Sequence, residues 1–349
     1  MAGTPMGLAE TVGLGDGDLR GALQRPLTLG HGLLRHAAAR VTGRNVWSAV
    51  TFLITLRCNL RCRYCDFPRH ADRELDTEAT LRLLAGLRRG GTFRLSISGG
   101  EPLLREDLGA VVRRAVDLGF VTSVVTNALT LADRLDDVGP AQFVLTTVEG
   151  DEATHERIRG KRSWSRTLAG LEALRRRGGP RLAVICPVHT GNLHAIEEPL
   201  RVAEQLGMRA FFQPVEVRDG WKGRAFDGRL TWEQATDVFR RLLAWKQAGR
   251  PVGNSTAYLR LMTAGVRPRL REVCPAGRYV VTILPDGRAT PCCMVPFEDG
   301  VPIADLDRPA KTHPLLTTPP CGDCTISPYV ENHLLLKPDL SAVWEALSW

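Results

Sequence analysis

Nine cysteines stand at positions 58, 62, 65, 186, 274, 292, 293, 321 and 324, and eight of them fall in two regions. The first region reads Cys58-Asn-Leu-Arg-Cys62-Arg-Tyr-Cys65, a C-x3-C-x2-C spacing. Three thiolates this close in sequence can converge on one metal centre. A four-iron cluster wants one outer ligand per iron, so three cysteines leave one iron open. The logic is that of a catalytic zinc site, which keeps one position for substrate. The competing reading is a structural zinc site that borrows a fourth ligand, His70 or Asp66. A second feature follows in Ser98-Gly99-Gly100-Glu101-Pro102. Its glycine pair lets a ligand approach the backbone, and Glu101 adds an acceptor. Cys186 stands alone in the apolar run 182–188 and reads as a small core residue.

The elements that must carry these groups are legible from periodicity. Ala49–Thr55 is an apolar, β-branched strand, and the cysteine loop follows it directly. Asp76 caps a helix with Leu81, Leu84 and Leu87 on one face. Phe93, Leu95 and Ile97 alternate as a second strand, ahead of the glycine pair. Helix 108–115, strand 120–126, a short helix over roughly 128–135 and strand 143–148 come next. A helix through Leu168, Leu171 and Leu174 then ends at Gly178-Gly179. Strand 182–188, helix 194–206 and strand 210–215 complete six strand–helix units. Such alternation demands right-handed crossovers and a parallel sheet. Six units are too few to close an eight-fold barrel, so the expected fold is α/β, a partial (β/α)6 TIM-like barrel. The cysteine loop then lies at the C-terminal end of a parallel strand, where barrel active sites are built. His155 reads as a helix-surface residue, and His189 and Asn192 follow strand five toward the cavity.

With these elements in place, CNLRCRYC at 58–65 and GGEP at 99–102 closely resemble the radical S-adenosylmethionine (SAM) superfamily. The resemblance covers roughly residues 48–216. It implies that Cys58, Cys62 and Cys65 hold a [4Fe–4S] cluster whose open iron takes the amino and carboxylate groups of SAM. It places Tyr64 near the adenine, and Gly99, Gly100, Glu101 and Pro102 at the SAM amino group. Reductive cleavage of SAM would give a 5′-deoxyadenosyl radical that abstracts hydrogen from substrate, the cofactor carrying the radical chemistry while the protein orients it. Asn127 ends strand three, where the family often contacts the SAM ribose or carboxylate. Thr147-Val-Glu149-Gly150 resembles the family's Ser-x-Asp-Gly, departing at Thr and Glu. Arg159 resembles an arginine that pairs with the SAM carboxylate; its bland reading is one more surface arginine. The resemblance also implies a flavodoxin- or ferredoxin-type electron donor.

The tail supplies Cys274, Cys292 and then Cys321-Gly-Asp-Cys324. A hairpin, 279–284 and 288–291 around Pro285-Asp286-Gly287, lies inside the first gap. Four thiolates suit zinc or an iron–sulfur cluster equally well. The pattern resembles the Twitch domain, a shortened relative of the SPASM domain, which implies one auxiliary [4Fe–4S] cluster on Cys274, Cys292, Cys321 and Cys324. Cys293 is surplus, or stands in for Cys292.

The chain has 349 residues, 44% of them hydrophobic and 24% charged, which fits a globular protein with a sizeable core and excludes a disordered or collagen-like one. The expected division is an N-terminal arm with one helix (1–47), the radical SAM core (48–216), a connecting helical region (217–273) with a helix capped by Thr231 and Gln234, and the auxiliary-cluster domain (274–349), which ends in a short helix over roughly 340–347. The net charge is +8. With five lysines among 46 basic residues, the other 41 are arginine. Aromatics are only 6%, which argues against a nucleic-acid partner. No run suits a transmembrane span or a secretory signal, so the expected location is cytoplasmic. Residues 1–45 look too short for a winged peptide-recognition domain. The expected substrate is therefore a small metabolite such as an amino sugar, nucleoside or lipid precursor. A ribosomally made peptide is the alternative, and a non-catalytic metal-binding module is the rival from another class.

Overall fold

The computed structural model describes residues 46–70, 73–216, 226–264, 274–303 and 325–336. The helix expected in the N-terminal arm, the final helix expected over 340–347, and Cys321 and Cys324 lie outside the described residues.

One sheet organises the molecule. Strands β1 (Ala49–Thr55), β2 (Arg94–Gly99), β3 (Val121–Thr126), β4 (Phe143–Thr147), β5 (Arg181–Val188) and β6 (Arg209–Pro214) run parallel, each paired to its successor in sequence. Strands β1 and β5 carry consecutive buried residues, Phe52, Leu53 and Ile54 in β1 among them, whereas β2, β3, β4 and β6 alternate buried and half-buried positions. The covering helices are α1 (Thr77–Arg89), α2 (Leu108–Asp117), α3 (Leu135–Val138), α4 (Glu152–Arg159), α5 (Ser163–Arg177) and α6 (Glu198–Leu206). The expected partial barrel is what the chain forms.

Local chemistry sets the helix starts. Asp76 accepts a hydrogen bond from the Ala79 amide at 2.7 Å and caps α1, worth about 1 kcal/mol. In place of one helix over 128–135 there is a left-handed Ala128 (φ 62°), a 3-10 turn and the single turn of α3. The helix expected from 194 begins only at Glu198, because residues 190–195 form a 3-10 turn and Pro199 suits a first helical turn. Helix α4 has no bounds in the sequence reading, which only sets His155 on a helix surface. Its stretch, EATHERIR, lacks an apolar stripe, and its buried residues are Thr154, His155, Ile158 and Arg159.

The C-terminal region does not form a sheet of its own. The expected hairpin is present as β7 (Val280–Ile283) and β8 (Arg288–Thr290), followed by β9 (Val301–Pro302). However, β7 pairs parallel with β1, Ala49 opposite Val280 through Phe52 opposite Ile283. The sheet therefore has nine strands, ordered β6-β5-β4-β3-β2-β1-β7-β8-β9. Helix α7 (Trp232–Gln247) starts at the expected Thr231–Gln234 capping box. Two further helices, α8 (Thr256–Met262) and α9 (Ser327–Leu336), are tied together through a Tyr258 hydroxyl bond to the Thr325 carbonyl at 2.8 Å and a Ser255 amide bond to Glu331 at 2.9 Å. Among the described residues, no helix is long and apolar enough to cross a membrane.

Candidate active site

The cysteine loop leaves β1 at Thr55 and crosses the C-terminal end of the sheet. The Arg63 amide donates to the Ile158 carbonyl at 3.1 Å, pinning the loop against α4, and the Cys65 amide to the Cys62 carbonyl at 3.0 Å, closing a turn within the loop. Cys58 and Cys65 are half-buried and Cys62 is buried. The Cys58 sulfur is approached by the Leu60 amide at 3.4 Å and by Asn127 Nδ2 at 3.8 Å. Asn127 also donates to Asn59 at 2.7 Å, which fixes its amide beside the loop.

Burial pushes all three thiols up, and Cys62 reaches about 12; the nearby Arg159 charge opposes the shift, while Cys65, Glu149 and Cys58 add to it. Cys58 and Cys65 both raise Cys62, and Cys58 raises Cys65, so these sulfurs form a donor set that a cationic metal core relieves, and cluster binding must displace their protons. Among the described residues, no three His, Cys, Asp or Glu side chains are set to hold a single metal ion. A cluster gives each thiolate its own iron and needs no common point. His70 and Asp66, the fourth ligands that a zinc site would borrow, pair with each other at 3.2 Å. The donor set thus fits an iron–sulfur cluster better than zinc.

The glycine pair supports the loop from below. Gly99 has φ +142°, and a Cβ there would sit 2.1 Å from the Thr55 carbonyl oxygen. A Cβ on Gly100 would sit 2.2 Å from the Arg57 carbonyl oxygen. The group that closely approaches these glycines is therefore the root of the cysteine loop. The Gly100 and Glu101 amides donate to Thr55 and Arg57 carbonyls at 2.8 Å each. Glu101 is fully buried and its carboxylate accepts three hydrogen bonds: Oε1 accepts from the Leu103 amide (2.9 Å) and Thr126 hydroxyl (2.7 Å), and Oε2 from the Asn127 amide (2.6 Å). Its side chain braces β3 against the loop. Pro102 is buried at the start of the 3-10 turn that follows.

A buried polar group lines the neighbouring wall. Glu149 is 0% exposed and receives the Tyr64 hydroxyl at 2.5 Å and Arg159 Nη1 at 3.3 Å. His189 Nε2 faces its other oxygen at 3.7 Å, too far for a hydrogen bond. Burial alone would raise the Glu149 pKa, but the His189 ring, the Arg159 guanidinium and the Tyr64 hydroxyl hold it below the usual carboxylate range. Four buried atoms here, Glu149 Oε2, His189 Nε2, Arg159 Nε and His155 Nε2, have no hydrogen-bond partner. Orphaned buried polar atoms that point into one region are what a ligand's polar groups would satisfy.

Several expectations change at this wall. Arg159 is not a surface arginine. His155, expected on a helix surface, is completely buried, with its Nδ1 3.4 Å from the Glu149 amide and its ring edge-on to Trp164 at 5.5 Å. Thr147 is half-buried and has no side-chain hydrogen bond among the described residues; Glu149, the motif's altered acid, is the hub instead. Asn192 holds the Glu149 carbonyl at 2.8 Å and, with His189, closes a capping box. Phe226 stands edge-on to Tyr64 (5.9 Å) and His189 (5.4 Å), a contact that no sequence spacing announces. Cys186 is fully buried in β5, as a core residue should be.

In the C-terminal region, Cys274 and Cys293 are half-buried and Cys292 is buried. The Tyr329 hydroxyl of α9 accepts from the Cys293 amide at 3.1 Å. A cleft of about 470 Å3 runs between the segment after β1 (Leu56, His70, Arg73) and the hairpin turn (Leu284, Asp286), with Phe297 of the following 3-10 turn also lining it.

Comparison with known proteins bears on this geometry. Residues 52–203 match the family described as the radical SAM superfamily. This segment is a radical SAM domain. The PqqA peptide cyclase of Methylorubrum extorquens strain PA1 is 27% identical over 248 residues, covering 68% of this chain and 64% of that protein. The PqqA peptide cyclase of Ruegeria pomeroyi is 28% identical over 270 residues, covering 74% and 70%. Among solved structures, Streptococcus suis SuiB bound to S-adenosylmethionine has a similar fold, with TM-score 0.65 and 16% identity over 80% of this chain and 69% of that one. The matched region spans just under two thirds of the length of the first of these cyclases. The superfamily's cofactors are a [4Fe–4S] cluster and SAM, and the three-thiol loop of this radical SAM domain suits that pair.

Proposed function

We propose that the protein is a radical SAM enzyme that modifies a peptide, with an auxiliary cluster in its C-terminal region. The observation that carries the core of this reading is the three-cysteine loop facing the buried Tyr64–Glu149–Arg159–His189 group at the mouth of a radical SAM domain. Cys58, Cys62 and Cys65 would hold the cluster, which with SAM supplies a carbon radical that removes hydrogen from substrate. Arg159 and Asn127 would orient SAM's charged end beside the thiols, and Tyr64 and Phe226 would offer flat apolar surface for its base. Glu101 contributes by fixing β3, so contact with the SAM amino group falls to the backbone of 99–101. Water is kept out by the burial of Glu149, His155 and His189. Cys274, Cys292, Cys321 and Cys324 would hold the auxiliary cluster.

Two observations favour a peptide over a small metabolite. The similar proteins are by name a peptide cyclase and a protein solved in complex with a precursor peptide. The cleft beside the loop mixes apolar and charged walls, which suits an extended segment. The test is anaerobic incubation of the reconstituted protein with SAM, dithionite and short peptides encoded beside its gene. A peptide mass change coupled to 5′-deoxyadenosine supports the reading. Coupled turnover of a small metabolite, with every peptide unchanged, overturns the peptide part.

A further inference from the structure

We propose that the buried chain Tyr64–Glu149–Arg159 sets how readily the iron–sulfur centre on Cys58, Cys62 and Cys65 takes up its electron: the Arg159 cation favours reduction and the Glu149 anion opposes it. The inference rests on the radical SAM reading, which supplies the centre. Two ties bring these charges to the cysteine loop. The amide of Arg63, next to Cys62, donates at 3.1 Å to the carbonyl of Ile158, next to Arg159. Tyr64, between Cys62 and Cys65, donates its hydroxyl at 2.5 Å to the Glu149 oxygen that also receives Arg159 Nη1 at 3.3 Å. A cation and an anion are thus both clipped to the short stretch that carries two of the three thiols.

Burial decides which charges count. Arg61 and Arg63 are exposed, so water and salt screen them. Arg159 is 8% exposed and Glu149 is 0% exposed, so their fields act through protein, where a charge is felt more strongly. His155 beside them is held down to about 4 and is neutral at ordinary pH, which leaves Arg159 as the buried cation of this wall. Glu101, the other fully buried acid at the loop, is held by its three donors. The Arg159 charge favours the anionic form of all three thiols, and the Glu149 charge disfavours it at Cys62. Added negative charge on those sulfurs, whether from a lost proton or a gained electron, meets the same two fields. Iron–sulfur potentials follow the net charge, hydrogen bonds and solvent exposure around the sulfurs. Glu149 stands where the motif it resembles has Asp, so this chain is not read off that motif. The step is the transfer of one electron from a low-potential reductant to the iron–sulfur centre; no bond forms or breaks and no proton moves.

The experiment titrates the reconstituted full chain with dithionite in the presence of redox mediators and follows it by electron paramagnetic resonance. The component followed is the one that SAM reshapes in a parallel wild-type sample. The titration itself is run without SAM, so pairing of Arg159 with SAM's carboxylate cannot contribute. Arg159→Met is expected to make the centre harder to reduce. The ratio of reduced to oxidised protein at a fixed potential should fall about tenfold, which is about 59 mV for one electron. Glu149→Gln should raise that ratio by a similar factor. Arg159→Lys keeps the charge and should stay near wild type, a rescue that a purely structural role would not give. Tyr64→Phe keeps both charges but takes one donor from Glu149, so it should shift the ratio in the direction of Arg159→Met. It carries the test where a charge variant does not fold. Unchanged midpoints in Arg159→Met and Glu149→Gln, or shifts of the same sign in both, overturn the proposal, as does an unchanged midpoint in Tyr64→Phe. A wild-type protein that shows no SAM-sensitive signal counts against the functional reading itself.

Discussion

The ion pair between Arg159 and Glu149 makes the sharpest energetic prediction. Arg159 is 8% exposed and Glu149 is 0% exposed, with 3.3 Å between them. Removing one member of such a pair leaves an uncompensated buried charge and costs roughly 3–5 kcal/mol. Here Glu149 retains Tyr64 at 2.5 Å after Arg159→Met, so about 3 kcal/mol is expected for that variant. Glu149→Gln strands the guanidinium and should cost about 4 kcal/mol. The double variant removes both charges and should cost little more than either single one, for a coupling of about 2–3 kcal/mol. In a chain of this size, a single substitution should lower Tm by on the order of 5–10 °C. The assay is thermal and urea unfolding of the metal-free protein for the four members of the cycle. Strict additivity, or an Arg159→Met protein as stable as wild type, would refute the reasoning.

Other consequences follow from the same wall and loop. Gly99→Ala places a Cβ 2.1 Å from the Thr55 carbonyl at φ +142°; it should cost more than about 3 kcal/mol and sharply reduce soluble yield. Asp76→Ala removes the α1 cap and should lower stability by about 1 kcal/mol in urea unfolding, with the cluster-binding stoichiometry unchanged. His155 is held down to about 4 by burial and by the neighbouring Arg159 charge. The unfolded chain binds its proton near pH 6.5 and the folded chain does not, so stability from this group is full above that pH and falls as pH drops toward 4. The loss is up to about 3 kcal/mol, and His155→Gln should show a correspondingly smaller drop in Tm between neutral and mildly acidic buffer. Cys321→Ser should lower bound iron from about eight to about four per chain while SAM cleavage persists.

Much of the scaffold was legible because β1 and β5 carry consecutive buried apolar residues and the other parallel strands alternate in burial; in β5 the structure moves only the start, one residue earlier. The three cysteines and the glycine pair carried the resemblance to the family. The bounds of helix α4 and the burial of His155 escaped the sequence for the reason that makes the helix useful: it buries His155 and Arg159, so hydrophobic periodicity has nothing to detect. The same polar burial hid the role of Glu149, visible in sequence only as an altered motif acid. The parallel pairing of β7 with β1 is a long-range choice between two edges, which a local hairpin signal cannot decide. Phe226 reaches Tyr64 and His189 from a distant segment, and no local pattern encodes that contact.

The central claim is that Cys58, Cys62 and Cys65 hold a cluster with one iron left to SAM. The most direct test is electron paramagnetic resonance of the dithionite-reduced, reconstituted protein before and after SAM is added. The account predicts a reduced-cluster signal that SAM reshapes, and the loss of that SAM-sensitive component in Cys62→Ala. A spectrum indifferent to SAM, or a SAM-sensitive signal that survives Cys62→Ala, would contradict it.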